Sequence, residues 1–271
     1  MPQRTMTPAA RERLDRHLPA QRPRLADMLF QVFQERAEAT RIARVTIGLG
    51  YTAVETTAGD LGLSYTMAGH SLCCRRLREC RDLDGAPAIE VLSYLHSDDT
   101  LERSLSIGLA NALNQQRTLT MPEDTGMLTT AAGIGPGVRV AMVGFLPPVV
   151  ARLKGVGAEV SVLDRDMDMG DETRFLRDLA SWPDVLIVTA TTILNATFEV
   201  FMDHVGPGIP VVLLGPTTPM TPEAFVSFPV VMLGGTVALN NERVASAVRQ
   251  AALTPAIRRY CRRICWLCSS A

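Results

Sequence analysis

Four consecutive β-branched or aliphatic residues, Val185-Leu186-Ile187-Val188, give way within one position to a cluster of hydroxyl and amide side chains. An apolar run this short suits a strand covered on both faces, the situation inside a parallel sheet. The switch to Thr189, Thr191, Thr192, Asn195 and Thr197 would then mark the strand's carboxyl end. Open α/β sheets bind their ligands at that edge. Phe198, Val200 and Phe201 resume as a helix-like pattern, so the run reads as strand, polar turn, helix.

The surrounding rhythm agrees. Short apolar runs at residues 138–145, 159–163, 211–214 and 230–233 alternate with helical patterns, and a last helix is expected over 241–252. Five such strands call for a doubly wound parallel sheet with right-handed crossovers, a Rossmann-like unit over residues 138–254. The front of the chain reads differently. Leu25, Met28, Leu29, Val32 and Phe33 fall at helical spacing within residues 25–39. Residues 45–55 and 61–66 are β-rich and read as consecutive antiparallel strands joined by a turn at Ala58-Gly59-Asp60. A helix over 87–95 follows, and then a longer one from Asp99, where Asp99 and Glu102 have capping-box spacing. The fold class is therefore α/β, with an N-terminal α+β domain (23–120), a Gly/Pro/Thr-rich linker (121–137) and the parallel-sheet domain. A polar segment (1–22) and a Cys/Arg-rich tail (255–271) flank them.

Composition narrows the function classes. A formal net charge of −1 gives no long-range attraction for nucleic acid or anionic membrane. No window approaches the roughly 18 to 20 apolar residues of a membrane span. The first residues carry arginines rather than an apolar core, so no secretory signal is expected and the expected location is cytoplasmic, with the cysteines reduced. A homodimer would be ordinary for a chain of this size.

Candidate chemistry gathers at the strand ends. The first strand ends in Gly144-Phe145-Leu146-Pro147-Pro148, where a dinucleotide site would carry three spaced glycines. Two prolines there begin a helix well but remove N–H donors, which argues against NAD or FAD. Asp164 stands where a ribose-binding carboxylate would lie. Thr191, Thr192, Asn195 and Thr197 form a donor-rich rim, beyond what capping one helix requires. Gly215, Pro216 and Thr217 make a stiff, hydroxyl-bearing loop after the fourth strand. In the front domain Glu55 is a carboxylate among apolar and hydroxyl neighbours, and Asn111 and Asn114 sit late in an apolar helix. Cys261, Cys265 and Cys268 would share one face if the tail were helical, a grouping that could hold a soft metal. Buried free cysteines more often act as small hydrophobes.

Several of these motifs together resemble the heavy-metal chelation domain family. They are residues 47–55 with 62–66, Ala110-Asn111-Ala112-Leu113-Asn114, residues 142–148, residues 191–197 and Leu214-Gly215-Pro216-Thr217-Thr218-Pro219. The resemblance implies a front domain similar to the N-terminal domain of enolase, a Rossmann-like second domain and a site in the cleft between them. The enolase barrel is absent, so its chemistry does not carry over. Two functions follow as expectations. One is a protein that binds a heavy metal or metal complex, with Glu55, Asn111, Gly144, Thr191, Thr192, Asn195, Thr197, Gly215, Pro216 and Thr217 around the ligand, and a metal ion as the cofactor to consider. The other is an enzyme acting on a small anionic metabolite, with Glu55 as general base and the Thr/Asn rim as anion cradle.

Overall fold

The computed structural model describes residues 24–67 and 82–268. The polar segment 1–22 and the remaining cysteines, Cys73, Cys74 and Cys80, lie outside them.

Leu25, Leu29, Phe33 and Ala37 recur every fourth residue and form the buried stripe of helix α1 (Leu25–Glu38). It packs near a three-stranded antiparallel meander, β1 (Ile42–Ile47), β2 (Tyr51–Thr56) and β3 (Leu61–Tyr65), in the order β1-β2-β3. Two strands were expected and three are present, because the chain reverses between Gly48 and Gly50. Gly48 N–H donates to Tyr51 O at 2.9 Å. A Cβ on Gly48 would fall 2.3 Å from the Val248 carbonyl oxygen, so only glycine fits that turn. Helices α2 (Ala88–Leu92) and α3 (Thr100–Leu113) follow. Asp99 caps α3 as its spacing predicts, accepting from Leu101 N and Glu102 N at 2.8 and 3.3 Å. Gly62 lets α3 lie directly on β3, since a Cβ there would come within 2.2 Å of both Ala112 N and Gly108 O.

The stretch expected to be a linker is built. It follows α4 (Gln115–Leu119) and contains α5 (Met127–Ala131), and Cys265 N and Asp124 N bond to Pro122 O and Arg263 O.

Then come β4 (Arg139–Val143), α6 (Pro147–Gly155), β5 (Glu159–Leu163), α7 (Glu172–Asp178) and β6 (Val185–Thr189). After β6 follow α8 (Thr191–Leu194), α9 (Phe198–His204) and β7 (Val211–Leu214). The chain continues through β8 (Val230–Ala238), α10 (Asn241–Arg249), α11 (Thr254–Ile257) and β9 (Cys261–Leu267). The sheet order is β5-β4-β6-β7-β8-β9. Its first five strands are parallel and β9 runs antiparallel to β8. Alternate residues supply two separate cores, as the two-residue period of a strand demands. Val140, Met142, Val185 and Ile187 face one, while Ala141, Val143, Leu186 and Val188 face the other. Each face is covered by helices, so the β6 run can be apolar throughout.

The tail departs from the helical reading. Residues 261–267 are the sixth strand, paired from Ala238↔Cys261 to Met232↔Leu267. In a strand, positions 261 and 265 share a face that 268 does not, so the three thiols are not brought to one side. The tail's Ile264, Cys265 and Trp266 complete the cores instead. Among the described residues no helix is long and apolar enough to cross a membrane.

The outer edge of β3 would be an open row of backbone donors and acceptors, but three side chains close it. Gln115 Oε1 accepts from Leu61 N at 2.7 Å, Asn111 Nδ2 donates to Leu63 O at 2.8 Å, and Thr217 Oγ1 accepts from Tyr65 N at 2.9 Å. These bonds join the small sheet to α3, α4 and the loop after β7.

Candidate functional site

Strand β4 lies between β5 and β6, so successive connections leave it in opposite directions. That reversal opens a crevice at the carboxyl ends of the strands, where doubly wound sheets take their ligands. A cleft of about 350 Å³ occupies it. Its floor is Val143, Gly144 and Leu163, one wall is the segment after β6, and the facing wall is Tyr65, Thr66, Met67 and Thr100 of the front part. The crossover loop after β5, with Asp164, Arg165 and Asp166, closes the third side.

Local chemistry holds each wall. Gly144 has φ +86°, and a Cβ there would sit 2.5 Å from Thr189 Cγ2, so the floor is shaped by the absence of a side chain. Thr192 Oγ1 donates to Thr189 O at 2.7 Å, and the hydroxyls of Thr189 and Thr191 are 3.1 Å apart. Asn195 Oδ1 accepts from Thr197 Oγ1 and N at 2.7 and 3.3 Å, across an Ala196 held at φ +55°. On the opposite wall Thr100 Oγ1 donates to Met67 O at 2.7 Å, and Ser104 Oγ accepts from Met67 N at 3.2 Å.

Asp164 is spent on its own loop. Its Oδ2 accepts from Phe145 N at 2.6 Å and its Oδ1 from Met167 N at 3.0 Å. A backbone pair between Asp164 and Met169 closes the turn, with Asp168 at φ +51°. The first two residues inside that turn are Arg165, whose Nε and Nη2 both donate to the Glu172 carboxylate, and Asp166. Glu172 raises the Arg165 pKa, and its own carboxyl is lowered by the same hydrogen bonds.

The expected site residues therefore separate into two groups. Gly144, Thr191, Thr192, Asn195 and Thr197 line the cleft. Asn111 and Thr217 close the β3 edge, and a Cβ on Gly215 (φ +130°) would lie 3.9 Å from Ala190 N, with Pro216 leading into Thr217. Asn114 Nδ2 donates to Met220 O at 2.7 Å, tying the front part to the loop before β8. Glu55 pairs with Leu61, four residues along β3 from Tyr65, about 13 Å of strand away from the cleft. It also lies on the strand face of Tyr51 and Ala53, which packs with Val244 and Val248 of α10. Thr66, Thr100, Arg165 and Asp166 went unread in the sequence, although Asp164-Arg165-Asp166 was legible as a charged run directly after an apolar strand.

Soft-metal chemistry finds no ready cluster. Among the described residues no three His, Cys, Asp or Glu side chains are grouped to hold an ion. Burial pushes all three tail thiols up, Cys261 to about 12, which favours their protonated form in the metal-free protein. The cleft instead offers hydroxyl, amide and carboxylate oxygens, together with one fixed guanidinium.

An antiparallel front part joined to a mostly parallel sheet, with a crevice at the sheet's reversal point, defines a two-part α/β protein. The chain belongs to the family described as "Putative heavy-metal chelation", whose two segments match residues 30–114 and 127–267. It is similar to a protein of unknown function from Pyrococcus horikoshii, solved by crystallography as a member of the same family. That likeness has 22% identity and a TM-score of 0.76, covering 90% of this chain and 100% of the other. A second, from Desulfitobacterium hafniense, has 16% identity and a TM-score of 0.72 over 89% and 99% of the two chains. Likenesses at this identity speak for the fold alone. No curated protein matches the chain.

Proposed function

We propose that the protein binds a heavy metal, as ion or complex, in the cleft at the carboxyl ends of β4, β5 and β6. One observation carries this reading within a family described by chelation: the polar groups of the cleft wall, which also carries apolar side chains, are mainly oxygen atoms, and Asp166 has no partner among the described residues. Oxygen ligands and a free carboxylate suit a hard or borderline cation better than the tail thiols do. Thr191, Thr192, Asn195 and Thr197 would contact the bound species, and Gly144 would leave room for it. The metal is cargo here, so its affinity and release are the quantities to measure. Elemental analysis of the protein after equilibration with a metal panel, wild type against an Asp166→Asn/Thr191→Val variant, tests the reading. One metal per chain in the wild type and at least a tenfold weaker site in the variant is the expected result. Equal metal content in the two proteins, after equilibration with metal ions and with their complexes alike, would overturn it.

A further inference from the structure

Arg165 and Asp166 stand side by side on the turn that closes the cleft, and their chemistry restricts what can enter. The Asp164 carboxylate accepts from two backbone N–H groups, one on each oxygen, and the Asp164–Met169 backbone pair closes the loop, so 165 and 166 are presented from a fixed frame. Gly170 continues that frame, since a Cβ there would lie 2.6 Å from Val162 O of β5. Guanidinium has two bidentate faces. Glu172 occupies the side face of Arg165, through Nε and Nη2, and orients the group. The end face, formed by Nη1 and the second Nη2 hydrogen, has no partner among the described residues. Asp166 beside it is likewise uncommitted, and both side chains line the cleft. A bare divalent cation fits this pair poorly, because it would meet one carboxylate, neutral hydroxyls and a neighbouring fixed positive charge. A species carrying carboxylate oxygens and N–H donors together fits both members.

We infer that the cleft takes the metal as an aminocarboxylate complex, with a carboxylate of the complex on the end face of Arg165 and its metal-bound amine N–H groups on Asp166. This rests on the reading of the cleft as the metal site. Coordination to a cation makes amine N–H groups stronger donors, so the Asp166 contact is charge-assisted, and the threonine hydroxyls can serve either polarity. The complex supplies the coordination sphere that the cleft lacks.

The test uses the full chain and the bis-histidine complexes of nickel(II), copper(II) and zinc(II), alongside each metal alone and histidine alone. Calorimetric titration and native mass spectrometry should show one complex per chain, bound at least tenfold more tightly than the metal or histidine by itself. Arg165→Gln should weaken the complex roughly ten- to hundredfold without weakening the binding of metal alone. Glu172→Gln, which keeps the guanidinium but releases its clamp, should give a smaller loss, and thermal melting of both variants establishes that they are folded. If metal alone binds in the cleft as tightly as its complex, and Arg165→Gln changes neither, this inference falls while the metal-site reading stands. If neither metal nor complex binds at a place sensitive to Asp166→Asn/Thr191→Val, the metal-site reading itself falls.

Discussion

Gln115 offers the sharpest test of how the two parts are joined. Its Oε1 accepts from Leu61 N at 2.7 Å, and its Nε2 donates to Ala238 O at 3.0 Å and Asn241 Oδ1 at 2.7 Å. One side chain thus links the edge of the small sheet, the end of β8 and the start of α10. Gln115→Leu keeps the length and helix propensity but removes every one of these bonds. Leu61 and Ala238 are 2% and 4% exposed, so water cannot replace the lost partner. Each backbone group left unpaired costs about 1–3 kcal/mol. The added apolar burial returns about 1 kcal/mol, leaving a net loss near 3 kcal/mol. For a chain of this size that corresponds to a melting temperature lower by roughly 6–12 °C. The adjacent Gln116 supplies the control, because its one bond, to Asp60 Oδ1 at 2.6 Å, is exposed. Gln116→Leu should change stability by no more than about 0.5 kcal/mol. Urea unfolding followed by circular dichroism compares the two variants, with an unchanged slope expected. Equal midpoints for the two leucine variants would refute the claim that this bond network holds the parts together.

Gly62→Ala should cost about 3 kcal/mol or prevent cooperative folding, because the new methyl meets backbone atoms of α3 rather than a movable side chain, and thermal unfolding reads this directly. Hydrogen bonds from Arg139 hold the Asp184 carboxyl at about 2, below its unfolded value. Its stabilisation is therefore present above about pH 4 and lost as the pH falls through about 2. Asp184→Asn should flatten the acid limb of a stability–pH profile in that window, and an unchanged limb would refute the assignment. The peptide bearing Cys261, Cys265 and Cys268 should be alkylated in the native protein well over tenfold more slowly than in denaturant, as mass spectrometry at mildly alkaline pH would read, because burial keeps these thiols protonated.

Patterns that act locally were legible in the sequence. The β6 run, the Asp99 cap and the four-residue stripe of α1 each follow from the period or hydrogen-bonding needs of their own segment. So did the polar edge: a strand that turns from Val188 to Thr189 and Thr191 leaves its hydroxyls where a parallel sheet opens, and the cleft lies there. The partnership of distant segments was not legible. Asn111, Thr217 and Glu55 are polar residues in apolar surroundings, which reads as function, yet the first two satisfy one edge strand and the third lies on another face. Whether a buried amide serves a ligand or a neighbouring backbone depends on which segment folds beside it, and residue identity carries no record of that. The tail is the same lesson in another element. Cys261, Cys265 and Cys268 align only if the segment is helical, and pairing with β8 made it a strand. The sequence by itself determined the elements and the end of the sheet at which the cleft opens. Only the tertiary structure decided which polar groups face that cleft, because long-range hydrogen bonds consumed the others and brought Arg165 and Asp166 into it.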